Sequence, residues 1–292
     1  MWQKRCGEPY PIKNFYIRRF LRIAPLFWLA IPIYLSINGL GPSYWAPEGI
    51  GDRQIILTAL FLHGIYPDAI NSVVPGGWSI AVEMTFYLIF PVLIIYFKNN
   101  ARLYLLSGIG IWLINTLLLK EWLTHYFLTN SPFTQAFIIE FLNLYFINQA
   151  PVFLVGCWLY FSLSNHVNKF DLLLFGLWIL LAILLKAIFS YGGLDFLSIF
   201  LLLAAFSYTC LQRQIKLKPL ELIGRNSYAI YLTHFLVISF VYRLLPEKTG
   251  LFNLILGVFL TTLLSYLLSR LIYILIEQKF QKLANHLTSL NE

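Results

Sequence analysis

Long apolar runs, broken by short polar or basic stretches, set the pattern of this chain from about residue 22 to its end. A helix that crosses a membrane needs about 20 mostly apolar residues. Eight segments meet that need: 22–39, 78–97, 103–119, 146–163, 171–190, 194–211, 226–245 and 251–276. A ninth run, 54–66 (QIILTALFLHGIY), is short for a span and reads as re-entrant or interfacial. Residues 40–53 (LGPSYWAPEGIGDR) and 67–77 (PDAINSVVPGG) are rich in Pro and Gly and read as loops. Within 120–145, Asn130-Ser131-Pro132 signals a turn, and the apolar stretch that follows, with Glu140 in it, is expected to lie along the membrane interface. The pattern predicts an all-α fold, a polytopic membrane helix bundle of about eight transmembrane helices plus a short re-entrant or interfacial helix. No internal repeat or low-complexity linker divides it, so residues 1–292 read as one membrane domain.

Composition agrees with that solvent. Of 292 residues, 59% are hydrophobic and 12% charged, and mean hydropathy is +0.72. Soluble domains carry about 25% charged residues, so most of this surface is expected to face lipid. The 8 Trp and 18 Tyr suit the two interfaces. A formal charge of +8 would raise nucleic-acid binding in a soluble protein. Here the basic residues sit between apolar runs, so anionic headgroups account for them and nucleic acid is not expected as a partner.

Those basic residues also set a topology. With 54–66 not crossing, the inner segments hold Lys4, Arg5, Lys13, Arg18, Arg19, Arg22, Lys98, Arg102, Lys169, Arg213, Lys216, Lys218, Arg225, Lys279 and Lys282. The outer segments hold Arg53, Lys120, Arg243 and Lys248, while Lys186 and Arg270 fall inside spans. This bias puts both termini in the cytoplasm, with cytoplasmic loops at 98–102, 164–170 and 212–225 and outer loops at 40–77, 120–145 and 246–250. Cys6, Cys157 and Cys210 are scattered, with neither a disulfide framework nor metal-ligand spacing, so no metal is expected. The first 20 residues are polar and basic, unlike the apolar core of a signal peptide.

Helical residues four and seven apart share a face. Ser79, Glu83 and Tyr87 form one such polar stripe; Ser227, Tyr231 and His234 form a second; Tyr266, Arg270, Tyr273 and Glu277 form a third. An economical bundle turns the stripes toward one another around a wet or substrate-filled cavity. Each also has a packing reading. Hydroxyls of Ser79, Tyr87 and Ser227 can serve as interhelical hydrogen bonds. Arg270 can snorkel to the cytoplasmic interface. His234, about 12 Å into its span, can be a neutral packing residue. Glu83 is hardest to dismiss, because an acidic residue at a span centre costs about 2.5–3.5 kcal/mol. FYIRRFLRIAP at 15–25 sets Arg18, Arg19 and Arg22 at a helix start. Composition alone favours an anchor; the sharper alternative is a clamp for phosphate, which guanidinium grips bidentately.

Five stretches together carry a resemblance: FYIRRFLRIAPLFWL, VPGGWSIAVEMTFYLIFP, NQAPVFLVGCWLYF, NSYAIYLTHFLV and LIYILIEQKF. In this order they resemble the integral-membrane acyltransferase-3 family across nearly the whole chain. The last departs from the family's Glu-Arg-Pro-Phe ending, with Gln278-Lys279 in place of Arg-Pro. The resemblance implies a membrane acyltransferase in a bacterial inner membrane. It would move an acyl group, usually acetyl, from acyl-coenzyme A on the cytoplasmic side to a hydroxyl of a cell-surface or lipid-linked saccharide. Acyl-coenzyme A enters as co-substrate, with no bound cofactor. The resemblance raises the phosphate-clamp reading of Arg18, Arg19 and Arg22 above the anchor. A transporter or flippase of a glycan precursor would also place polar stripes in a bundle, but no paired discontinuous helices point that way.

The resemblance also departs at the start. The family normally opens with two further spans, the first carrying the histidine taken as catalytic base. MWQKRCGEPYPIKNFYIRRF resembles the stretch after the second of them. Met1 then reads as an internal methionine, a misassigned start or the start of a truncated, inactive member, and the chain alone is expected to transfer slowly or not at all. Acyl transfer needs a base for the hydroxyl proton and donors for the tetrahedral oxyanion. Within this chain His234 and Glu83 are the catalytic candidates, and His63 either assists proton transfer or belongs to the acceptor entrance. Trp78, at the outer interface, either stacks on a sugar ring or is an ordinary belt residue. Ser79, Tyr87, Tyr231, Arg270, Tyr273 and Glu277 complete the expected cavity lining, with Glu83 positioning substrate or an arginine.

Overall fold

The computed structural model describes residues 5, 7–98, 100–165, 168–189, 192–213, 221, 223–224, 226–245 and 250–289. Lys4, Lys216, Lys218, Arg225, Lys248 and the side chain of Lys186 lie outside the described residues, as do parts of the expected loops at 98–102, 164–170, 212–225 and 246–250. Among the described residues the chain is helical, with one isolated bridge between Ser43 and Ala46. In order the helices are α1 (Pro11–Asn38), α2 (Asp52–Ala59), α3 (Gly77–Phe97), α4 (Ala101–Ile114), α5 (Lys120–Asn130), α6 (Gln135–Leu144), α7 (Phe146–Asn165), α8 (Lys169–Phe189), α9 (Gly192–Gln212), α10 (Ser227–Leu244), α11 (Leu251–Ile272) and α12 (Gln278–Ser289). Two π-turns, Asn115–Leu119 and Tyr273–Glu277, join α4 to α5 and α11 to α12.

Six helical stretches among the described residues are long and apolar enough to cross a membrane: Pro11–Asn38, Gly77–Phe97, Ala101–Asn130, Gln135–Leu163, Ser227–Leu244 and Leu251–Ser289. The protein is an all-α integral membrane bundle. The expected spans 171–190 and 194–211 coincide with α8 and α9, which are not among the six. The short run 54–66 does not form a spanning helix: α2 has 8 residues, and Phe61 adopts a left-handed φ of 61° before a 3-10 turn at His63–Ile65.

The expected outer loop at 120–145 is largely helical. Lys120 and Glu121 end the apolar run in sequence, but the helix continues to Asn130. Thr124 returns its hydroxyl to the Lys120 carbonyl, four residues back, at 2.7 Å. The expected turn follows at 131–134, where Thr134 caps α6 by accepting from Phe137 N–H.

The helices pack as two compact units. The first comprises residues 1–60, 71–77 and 217–292, and so holds α1, α2 and α10–α12. Here α1 packs on α12 and α10, and α10 packs on α11. Pro25 and Pro32 each remove a donor from the helical ladder of α1. Hydroxyls tie this interrupted helix to α10: Tyr228 donates to Ile23 O at 2.7 Å and Tyr34 to Leu232 O at 2.8 Å. The second unit comprises 61–70 and 78–216. Its core is aromatic. Trp158 and Trp178 are fully buried, Tyr104 stacks on Phe161 at 5.1 Å, and Phe86 stacks on Phe153 at 4.5 Å. At one end of α4, Arg102 Nε meets Asp171 Oδ1 at 2.6 Å.

Candidate functional site

In the first unit a groove of about 710 Å³ runs between α10 and α11. Ser227, Tyr231 and His234 line it from α10, as their spacing of four and seven predicts. From α11 come Tyr266, Thr262 and Ser265. The remaining lining is mostly apolar, including Ile230 and Phe259. Ser265 was not legible as a site residue, because it lies one position off the stripe that begins at Tyr266. It is 2% exposed and its Oγ has no hydrogen-bond partner among the described residues, so the groove holds an unused buried hydroxyl.

His234 is fixed by its own helix. Its Nδ1 lies 2.6 Å from the Tyr231 carbonyl oxygen, three residues back. A carbonyl only accepts, so Nδ1 carries the proton and, in the neutral ring, Nε2 keeps the free lone pair. The adjacent Phe235 ring packs on the imidazole with centroids 4.0 Å apart. Tyr231 is held in turn by the PGG loop before α3, donating its hydroxyl to Gly76 O at 2.8 Å. Asn71 Oδ1 accepts from Gly76 N–H at 2.7 Å. Gly76 has φ of 77°, and a Cβ there would come within 2.8 Å of Phe235 and 3.1 Å of the Tyr231 hydroxyl. Only glycine satisfies both the backbone and the space.

At the start of α10 sits Glu277, 4% exposed. Asn226 at the N-cap makes no side-chain capping bond. Glu277 supplies one from a distance: its carboxylate accepts from the Ala229 N–H in the first turn, and the charge of Arg22 favours its ionised form. A carboxylate at a helix N-terminus completes an unpaired donor and complements the helix dipole. The π-turn brings Glu277 there. Buried positions on α11 step through Ser265 and Ser269, and seven further on an α-helix would bury Ile276. The wider π-turn at Tyr273–Glu277 delays the register by one residue, so Glu277 takes the buried place. Its Oε1 has no hydrogen-bond partner among the described residues.

The three arginines have separate engagements. Arg18 Nη2 pairs with Glu8 Oε2 at 2.7 Å, and Arg5 reaches the same carboxylate at 3.7 Å. Arg19 lies over the Phe15 ring at 5.5 Å. Arg22 acts on Glu277 through its charge. Arg270 is exposed at the end of α11, as snorkelling requires, and Tyr273 is half-buried on the π-turn.

The other predicted residues belong to the second unit. Glu83 is half-buried on α3 and accepts a hydrogen bond from Tyr87, one turn on. Trp78 and Ser79 are half-buried at the start of the same helix, and His63 is 1% exposed in its 3-10 turn. Of the three stripes expected around one cavity, the α10 stripe and Tyr266 of the third meet at the groove.

Comparison with known proteins adds the chemistry. The family model for the acyltransferase domain of acyltransferase-3 type matches residues 7–270. Among curated proteins, the peptidoglycan O-acetyltransferase OatA of Listeria monocytogenes is 25% identical over 275 residues. That match covers 82% of this chain and 41% of the relative, so the chain spans about two-fifths of the relative's length. No solved structure matches.

Proposed function

The chain belongs to the acyltransferase-3 family, and from that premise we propose that it moves an acetyl group from acetyl-coenzyme A to a hydroxyl of a cell-surface or lipid-linked saccharide. The class is an acyltransferase for groups other than aminoacyl groups. The acetyl group and the glycan acceptor draw support from the name of the Listeria relative, and the coenzyme A donor from the sequence resemblance.

The observation that carries the site assignment is His234, lining the groove with Nδ1 committed to a backbone carbonyl. In the proposed step the acceptor hydroxyl enters the groove and Nε2 takes its proton. The oxygen forms its bond to the thioester carbonyl carbon as the carbonyl becomes a tetrahedral oxyanion. The Ser265 hydroxyl is an unused donor along the groove wall among the described residues. The intermediate collapses with cleavage of the carbon–sulfur bond, and the departing thiolate takes the proton back from His234. Arg18, Arg19 and Arg22 receive the coenzyme A phosphates at the start of α1. Phosphate there exchanges with Glu8 for Arg18, since that guanidinium already has a carboxylate partner. Both termini lie in the cytoplasm of a bacterial cell, with the protein in the inner membrane.

The test is acetyl incorporation from radiolabelled acetyl-coenzyme A into surface glycan, with the protein in its native full-length context. A positioned base contributes about 10²–10⁴-fold. His234→Ala is expected to lose activity on that scale while inserting normally. Unchanged transfer by His234→Ala at matched membrane levels would remove His234 from the mechanism.

A further inference from the structure

In the second unit a polar cluster surrounds the π-turn between α4 and α5. Asn115, Tyr145 and Gln149 are 1%, 7% and 5% exposed. Lys120, the first residue after the turn, donates from Nζ to Asn143 Oδ1 at 2.9 Å. Asn115 Nδ2 donates to Asn148 Oδ1 at 3.0 Å, and the Tyr145 hydroxyl donates to Asn115 Oδ1. Asn148 Nδ2 and Gln149 Nε2 both donate to the Asn143 carbonyl, at 2.8 and 2.7 Å. The π-turn builds this cluster, because its five-residue repeat sets Asn115 and Lys120 on one face.

The hydrogen-bond inventory is lopsided. An ammonium only donates, so Asn143 turns its oxygen toward Lys120 and its NH₂ away. The side-chain oxygens of Asn115, Asn143 and Asn148 each already accept one hydrogen bond. Lys120 keeps two N–H donors, Asn143 keeps its amide NH₂, and Lys120 forms no ion pair among the described residues. Arg102, at the other end of this helix, has the Asp171 carboxylate. The cluster therefore offers a positive charge with unused N–H donors beside it, and its complement is an acceptor-rich anion.

Depth identifies the source of that anion. Arg102 and Lys120 are eighteen residues apart, or about 27 Å of helix, close to a hydrocarbon thickness of about 30 Å. Ile114, Leu117 and Leu118, just before Lys120, are 53%, 56% and 65% exposed, as lipid-facing residues are. Trp122 and Tyr126, just after it, are 62% and 48% exposed and stack on each other, as interface aromatics do. Lys120 thus stands where apolar lining gives way to the headgroup layer. We propose that Lys120 and Asn143 form a binding site for the phosphate of an anionic lipid headgroup, in the leaflet opposite Arg102.

The test uses the intact protein in nanodiscs of phosphatidylcholine with increasing phosphatidylglycerol, with retained lipid counted by native mass spectrometry. Wild type is expected to retain phosphatidylglycerol over phosphatidylcholine, Lys120→Met to retain it about fivefold less, and Lys120→Arg to keep it. Asn143→Asp gives the ammonium an internal carboxylate, so it should lose the lipid while its thermal midpoint stays at or above that of wild type. That combination separates lipid binding from a role in folding. Equal retention by wild type, Lys120→Met and Asn143→Asp would overturn the proposal, as would equal retention of the two lipids by wild type. Displacement of the lipid by inorganic phosphate would show a free-anion site and overturn the headgroup assignment.

Discussion

Glu8 holds Arg18 at 2.7 Å, and this one contact changes what the arginine cluster predicts. If donor phosphate competes with Glu8, Glu8→Gln should lower the KM for acetyl-coenzyme A and Arg18→Ala should raise it, with kcat little changed in both. A KM that ignores both substitutions would return the arginines to membrane anchoring. Gly76 gives a second prediction at this scale. Gly76→Ala combines a left-handed φ with contact at 2.8 Å to Phe235. It should cost about 1–2 kcal/mol, read as a lower thermal midpoint in detergent. Activity should fall further than that loss explains, because the alanine methyl presses on the hydroxyl of Tyr231. At residue scale the sequence exposed the α10 stripe, because its residues are local and periodic. It hid the Glu8–Arg18 pair and the orphan Ser265, because the first depends on how the chain folds back and the second on which side of α11 is buried.

Helices were legible wherever an apolar run of about 20 residues ended in polar or Gly/Pro punctuation. Two kinds of feature were not. Charge at Lys120 and Glu121 reads as the end of a span, yet a helix can continue past the membrane surface once its polar residues reach water. A π-turn leaves no apolar signal, so a stripe counted at α-helical spacing drifts across it. Tyr266, Arg270, Tyr273 and Glu277 were expected on one face, but Glu277 lies buried beyond the turn while Arg270 lies exposed before it. The cap that Glu277 provides to α10 tests this account. Glu277→Ala should destabilise the protein by about 0.5–2 kcal/mol, the usual cost of losing a helix cap, measured by thermal unfolding. No loss would mean that water or another group satisfies the α10 start.

For the whole molecule, the distribution of Lys and Arg predicts an orientation that no single helix carries. In a background without Cys6, Cys157 and Cys210, a cysteine at Ser131 should be labelled by an impermeant reagent applied outside intact cells, and one at Asn100 should not. Labelling in the reverse sense would invert the topology and place the arginines away from cytoplasmic coenzyme A. The membrane setting was legible from composition, since 12% charge cannot cover a soluble surface, and the all-α fold from apolar runs of about 20 residues. The division into two units was not, because it follows from non-local packing: residues 71–77 join α10 while residues 61–70 and α3 from Trp78 onward join the other unit.

The two π-turns also bear on how this chain tolerates change in length. Each turn is one residue longer than the α-helical turn it replaces. Removing an exposed residue inside it, such as Leu275 or Leu118, would restore α periodicity and still deliver Glu277 or Lys120 to the same face. Losing one codon at either place should therefore be milder than losing one in the middle of α4 or α11, where every later side chain would rotate by about 100°. Deletion scanning along both helices, scored by folded protein in the membrane, should show two narrow windows of tolerance at 115–119 and 273–277.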